Sequence, residues 1–372
     1  MSAPRRVLAA MSGGVDSGVA AALLAERGDA VTGVTLKLFC HGAAPGAARP
    51  CCSLEAIEDA RAVARAMGFP HWVVDAEEVF RARVVGPFLE DYAAGRTPYP
   101  CALCNRHLKF GDLVARLDLL GADVLCTGHY ARLGRDADGA PALRRARDAA
   151  KDQSYALALV PYAALARAEF PLGDLAKDEV RGHARRLGLA LWDKPESQDL
   201  CFVPAGTRAG EVARRLAQGG AAADGVAPGP IVDLAGRVLG EHRGIVHFTV
   251  GQRRGLGLSA PDPLYVLGVD AGTRTVTVGP RAALACEGLE TGAVNWLVPH
   301  PPAGAFRAAA KIRAQHRAAP ATVEPAAGGG LRVRFDAPQL AVTPGQLCAL
   351  YDGERVVAGA PIARAVRGAD AA

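Results

Sequence analysis

The 372-residue chain is half hydrophobic, carries a formal net charge of +5 and has a pI near 8.8. That apolar content suits two or three packed domains and excludes a wholly disordered chain, while the mild positive charge points only weakly to nucleic acid. The apolar run after Arg5 and Arg6 breaks at Ser12-Gly13-Gly14, which makes a poor signal peptide. The longest apolar stretch, Tyr155 to Ala166, contains Pro161 and is too short to cross a membrane, so a cytoplasmic protein is expected.

In chain order, Val7 to Met11 reads as a strand, Ser17 to Arg27 as a helix stopped by Gly28, and Val31 to Leu38 as a second strand. Ser53 can cap a helix ending near Gly68, followed by a strand at His71 to Asp75 and a helix from Glu77 to Ala94. A helix from about Asn105, a strand at Asp123 to Thr127 and an amphipathic helix from Leu175 to Leu187 continue the pattern. This alternation predicts an α/β domain with a parallel sheet. After residue 205 helical patterns thin out, and Gly219 to Pro230 reads as a loop or linker. From Ile231 onward, short strands are separated by turn signals such as Asp270 to Arg274 and Asp352-Gly353, as in a β-barrel or sandwich. Two stretches are basic and free of acids: Glu290 to Glu324, with Arg307, Lys311, Arg313 and Arg317 between them, and His242 to Gly257, with Arg243, Arg253 and Arg254.

Ser12-Gly13-Gly14-Val15-Asp16-Ser17 lies between a predicted strand and helix. Its glycines let backbone N–H groups approach phosphate oxygens, its serine hydroxyls can donate to them, and the following helix adds its positive end. Asp16 suits a Mg²⁺ partner or a loop brace. The segment lacks the Lys-Ser/Thr ending of a Walker A loop and the spacing of G-x-G-x-x-G.

Nine cysteines in a cytosolic chain raise metal, redox or nucleophile chemistry before structural disulfides. Cys101 and Cys104 form a C-x-x-C beside the predicted helix start, a setting that favours thiolate reactivity. Cys201 sits in a polar loop. Cys126 and Cys348 occupy strand-like runs and read as core, Cys40, Cys51 and Cys52 flank a Gly/Ala/Pro loop, and Cys286 has no supporting context.

The Ser12–Ser17 loop resembles the S-G-G-x-D-S pyrophosphate loop of enzymes that cleave ATP between its α- and β-phosphates. Six motifs occur in order: that loop, Cys104-Asn105-Arg106-His107-Leu108-Lys109-Phe110, Thr127-Gly128-His129-Tyr130, Lys151 to Tyr155, Ser197 to Phe202, and Gly251 to Leu256. From about Arg6 to about residue 360, the chain resembles the tRNA-specific 2-thiouridylase family. The resemblance implies ATP-dependent 2-thiolation of the wobble uridine of tRNA. It implies an N-terminal Rossmann-like PP-loop domain, a small central domain and a C-terminal β-barrel, placed here at 1–205, 206–285 and 286–372. The implied ATP contacts are Ala10, Met11, Ser12, Gly13, Gly14, Val15, Asp16, Ser17, Leu36 and Gly128, with Mg²⁺ accompanying ATP. The implied catalytic pair is Cys201, accepting a persulfide from a sulfur-donor protein, and Cys104, closing a disulfide on it. The implied tRNA contacts are Tyr99, Pro100, Cys101, His129, Lys151, Asp152, Gln153, Arg313, Ala314 and Gln346. A monomer is expected.

Many family members carry Asp where this chain has Cys101. With Cys104 and Cys201 that makes three candidate ligands for a [4Fe–4S] cluster with one open iron. Two other readings compete: an amide-forming synthetase with the same loop, for which a glutaminase nucleophile near the N-terminus is missing, and a non-catalytic RNA-binding protein, which leaves the intact loop unexplained.

Overall fold

The computed structural model describes residues 3–38, 54–195, 200–203, 208–219 and 223–368. Its first sheet is parallel, in the order β3 (His71–Asp75), β2 (Ala30–Lys37), β1 (Arg6–Ala10), β4 (Val124–Thr127) and a short fifth strand, Ala168–Glu169. Val7, Leu8 and Ala9 of β1 are buried on both faces, as a central parallel strand requires. The chain builds outward from β1 to β3 and then returns to place β4 on the other side of β1. The loops leaving β1 and β4 therefore open a crevice at the carboxyl end of the sheet, where such sheets hold ligands.

Helix α1 (Val15–Glu26) lies against this sheet through small residues, with Ala20, Ala21 and Ala22 buried. It is covered by α2 (Leu54–Met67) and by the helix Lys177–Arg186. Ser53, the expected cap of α2, falls outside the described residues. The helix expected from Glu77 is present over 77–93 but contains a wide π turn at Arg81–Val85. The helix expected near Asn105 starts five residues earlier, at Pro100, and continues as a π segment over Asn105–Leu113. Proline at the first helical position explains the earlier start, because its fixed φ and missing N–H suit a helix's first turn.

The thinning of helices after residue 205 is corrected by the helix Arg208–Gly219 and a further turn at Ala223–Val226. Val212 and Leu216, one turn apart, anchor the longer helix in a cluster with Phe88, Tyr92, Phe202 and Val246. Two apolar anchors among arginines and alanines are a weak periodic signal. The segment read as linker also contains the start of a strand, Gly229–Val232.

A second, four-stranded sheet gathers Tyr265–Asp270, Thr275–Gly279, Gly229–Val232 and Val238–His242 around Ile231, Phe248, Val266 and Val276. The C-terminal strands form a closed barrel, because Ala285–Thr291 pairs with both Leu331–Leu340 and Arg355–Val366. Leu289, Ile312, Val323, Val333 and Leu350 fill it. A hairpin from the first unit, Arg132–Arg135 with Pro141–Arg144, joins the barrel's sheet through Arg144 and Arg355. Buried hydrogen bonds reinforce the junction. Tyr155 Oη donates to the Leu347 carbonyl at 3.0 Å, and Asn295 Nδ2 donates to the carbonyls of Ala158 (3.0 Å) and Val160 (2.8 Å). No helix among the described residues is long and apolar enough to cross a membrane.

Candidate active site

The Ser12–Ser17 segment joins β1 to α1 at the crevice. Gly13 has φ +70°, and an added Cβ would lie 2.1 Å from the Ala56 carbonyl oxygen, so the turn admits only glycine. The Ser12 N–H donates to Ser17 Oγ at 3.0 Å, and Ser17 Oγ donates to the Gly14 carbonyl at 3.2 Å. Gly14 caps α1 without a side chain, leaving the helix start suited to an anion. Lys194 Nζ donates to the Gly13 carbonyl at 2.9 Å and pairs with Asp59.

Asp16 is braced from two sides: its Oδ1 accepts from Lys177 Nζ at 2.7 Å and from Tyr130 Oη at 2.8 Å. Of its two expected roles, the observed contacts fit the brace. Across the crevice, the loop after β4 presses on this segment. A Cβ on Gly128 would fall 2.6 Å from the Ser17 nitrogen.

A cavity of about 570 Å³ runs from this loop to the barrel. Of the expected ATP contacts, Ala10, Met11, Ser12, Asp16, Ser17, Leu36 and Gly128 are in its lining, and so are Tyr99, Cys101, Cys104, His129, Lys151, Asp152, Gln153, Cys201 and Ala314. Four expected contacts lie behind or beside that wall. Gly13, Gly14 and Val15 shape the turn, and Pro100 is buried at its helix start. Two others belong to the barrel unit and are not in the lining. Arg313 Nη1 donates to the Leu340 carbonyl at 3.1 Å. Gln346 Nε2 donates to the Thr97 carbonyl at 2.9 Å, bracing the loop that leads to Tyr99 and Cys101.

All three cysteines singled out by their motifs reach the one cavity. Cys101 is exposed, whereas Cys104 and Cys201 are partly buried against a cluster containing Phe80, Phe88 and Phe202. Among the described residues, no three Cys, His, Asp or Glu side chains are grouped to hold a metal ion. The three expected cluster ligands line this cavity together. Cys126, Cys286 and Cys348 are buried, and burial pushes the thiol of Cys348 up to about 12. Cys40, Cys51, Cys52 and Ser197 to Asp199 lie outside the described residues.

The Lys151–Tyr155 motif works through its backbone surroundings. Gln153 Oε1 accepts from the Tyr130 N–H at 3.0 Å, and Asp152 Oδ1 accepts from the N–H groups of Ala146 and Ser154, both at 3.1 Å. His129 Nδ1 sits 2.7 Å from Thr127 Oγ1. Burial, aided by the charge of Lys109, holds His129 well below the usual histidine range, so the ring is neutral near pH 7.

The sequence did not single out several groups at this site, namely Asn105, Lys109, Lys177, Lys194 and Gln315, and marked Lys311 only as one member of a basic stretch. Lys109 and Asn105 sit inside a motif already quoted, so their helical spacing from Cys104 was available as a signal. Lys177 and Lys194 carried no local sign, since they reach the loop only through the fold.

Residues 5–205 match the family model described as tRNA methyl transferase HUP domain, 222–280 the tRNA methyl transferase PRC-barrel domain, and 286–362 the aminomethyltransferase β-barrel domain. A HUP domain bearing a phosphate loop, followed by two β-rich units, is the class that this fold and site define. A relative named tRNA-specific 2-thiouridylase MnmA, from Magnetococcus marinus, is 48% identical over 360 residues, covering 96% of this chain and 99% of the relative. One of the same name from Rhodospirillum centenum is 48% identical, covering 97% and 92%. The chain belongs to the tRNA-specific 2-thiouridylase family.

Proposed function

We propose that this protein is an ATP-dependent tRNA-uridine 2-sulfurtransferase acting on the wobble uridine. The observation that carries the reading is the convergence of the Ser12–Ser17 loop, Cys104 and Cys201 on one cavity. The family model's description names methyl transfer and the relatives' names thiolation; a phosphate loop facing two cysteines fits thiolation.

A uracil C2 oxygen is a poor leaving group. Its attack on the α-phosphorus of ATP forms a C2–O–AMP bond and expels pyrophosphate toward the loop and the start of α1, whose N–H groups and serine hydroxyls stabilise the departing charge. Ala10, Met11, Leu36 and Gly128 then form the nucleotide's surroundings. A Mg²⁺ accompanying ATP would be held near Asp16, which is also braced by Lys177 and Tyr130, and would neutralise phosphate charge. The terminal sulfur of a Cys201 persulfide, delivered by a donor protein, attacks C2 and AMP leaves. The Cys104 thiolate attacks Cys201 Sγ, breaking the persulfide S–S bond, so that sulfur stays on C2 and a Cys104–Cys201 disulfide remains for external thiols to reduce. Phe80 and Phe202, which line the cavity beside Cys104 and Cys201, keep water from the sulfur. Reaching this cavity requires the base to leave the anticodon stack. Tyr99, Pro100, Cys101, His129, Lys151, Asp152, Gln153, Arg313, Ala314 and Gln346 provide or support the RNA-facing surface. These steps run on the thiols alone.

The test is nucleoside mass spectrometry of tRNA from cells lacking the gene, complemented with wild type, Cys104→Ser or Cys201→Ser. Wobble 2-thiouridine should return only with wild type, and both variants should still bind tRNA. Restoration by either variant would refute the disulfide route, and unchanged 2-thiouridine in the deletion strain would refute the function. Purified protein that turned brown on anaerobic iron and sulfide reconstitution would reopen the cluster route.

A further inference from the structure

Among the basic residues between Glu290 and Glu324, Lys311 differs from its neighbours in position. Arg307 is exposed and paired with Asp336, and Arg313 lies on the outside against Leu340. The Lys311 side chain is only 8% exposed, yet it leaves the barrel strand Phe306–Lys311 to line the cavity that holds the phosphate loop and the thiols. Its nearest anion is Asp152, 3.8 Å away, beyond a hydrogen bond. Asp152 is already served by three other donors: the N–H groups of Ala146 and Ser154, and Ser154 Oγ at 3.0 Å. The ammonium also lies over the Tyr155 ring, whose centroid is 5.8 Å away, and within reach of the Arg145 charge. Burial lowers the pKa of Lys311, Asp152 opposes that shift and the charge of Arg145 adds to it.

A buried ammonium with three donors and one distant anion is under-satisfied, and the open side of its surroundings is the reaction cavity. The other acidic side chain in the lining, Asp16, is committed to Lys177 and Tyr130. We infer that Lys311 Nζ is a phosphate-holding site inside the reaction chamber, filled by a phosphate that arrives with substrate. Two sources share that chemistry: the RNA backbone at an everted nucleotide, and ATP. The inference rests on the proposed tRNA thiolation for the first source only.

The test uses the full chain with Lys311→Met, Lys311→Gln and Lys311→Arg, each checked for folding by thermal melting. Binding of transcribed tRNA carrying a wobble uridine is measured across a salt series, and binding of a non-hydrolysable ATP analogue in parallel. If RNA fills the site, the Met and Gln variants weaken tRNA about tenfold and flatten the log–log salt slope by about 0.7, the change expected for one contact to single-stranded phosphate. The Arg variant keeps the slope. If ATP fills it, the analogue weakens instead and tRNA is unaffected. Unchanged affinity for both ligands in a folded Met or Gln variant would overturn the inference. A wild-type protein that failed to bind tRNA would sink the functional reading, and the ATP arm would then decide Lys311 alone.

Discussion

Gly128→Ala adds one methyl group at the meeting of the two crevice loops. The new Cβ would lie 2.6 Å from Ser17 N, 2.7 Å from the Asp16 carbonyl carbon and 2.8 Å from Ser17 Cα, against 3.4–4 Å for ordinary contact. All three are main-chain atoms, so no side chain can swing away. One loop must retreat by about 1 Å, and misplacement on that scale can cost about 100-fold in rate where reacting groups must align. Overpacking itself should cost about 1–3 kcal/mol of stability. The assay is tRNA-dependent pyrophosphate release with varied ATP, alongside denaturant unfolding and tRNA binding. The expected result is a fall in kcat/KM for ATP of about 100-fold with tRNA affinity retained. Wild-type ATP kinetics in a folded variant would show that the two loops do not jointly form the nucleotide site.

Other outcomes follow from the same contacts. Tyr130→Phe removes one of the two bonds to Asp16 Oδ1 and should cost about 1 kcal/mol in unfolding experiments while raising KM for ATP; unaltered values for both would deny the brace. Gln346→Ala frees the Thr97 carbonyl and should lower kcat/KM for tRNA more than for ATP, which paired steady-state assays would reveal. The depressed pKa of His129 has a definite sign: an unfolded histidine protonates near pH 6.5, the folded one resists, so stability is full above that pH and falls below it, until the folded ring itself protonates. The slope from this group is bounded by about 1.4 kcal/mol per pH unit. Urea melts at pH 7.5 and 5.5 should show a smaller loss for His129→Asn than for wild type, and equal losses would contradict the assignment.

The parts of the site legible in the sequence are those whose chemistry is local. A strand, two glycines flanked by serines and an alanine-rich helix specify the phosphate loop within a dozen residues, and the β1–α1 geometry matches it. Cys101 and Cys104 announced a helix start, although Pro100 moved it five residues earlier. What the sequence concealed depends on distant closure. Lys177 reaches Asp16 across 161 positions, and Gln346 reaches Thr97 across 249. The turns marked the C-terminal part as a β-barrel or sandwich, with the barrel implied only by the resemblance, and nothing in Phe306–Lys311 distinguished a lysine directed into a chamber from one on a solvated surface. The Arg208–Gly219 helix escaped because its packing rests on only two large apolar side chains.

The barrel's share in the cavity bears on how such a chain can be altered. Lys311, Ala314 and Gln315 form part of the chamber wall, and a hairpin of the first unit is stitched into the barrel's own sheet. The barrel is therefore no detachable handle for RNA. Exchanging it for a relative's barrel would transplant a piece of the reaction vessel, and only partners whose seams around residues 132–144, 311–315 and 346 match would restore a working whole.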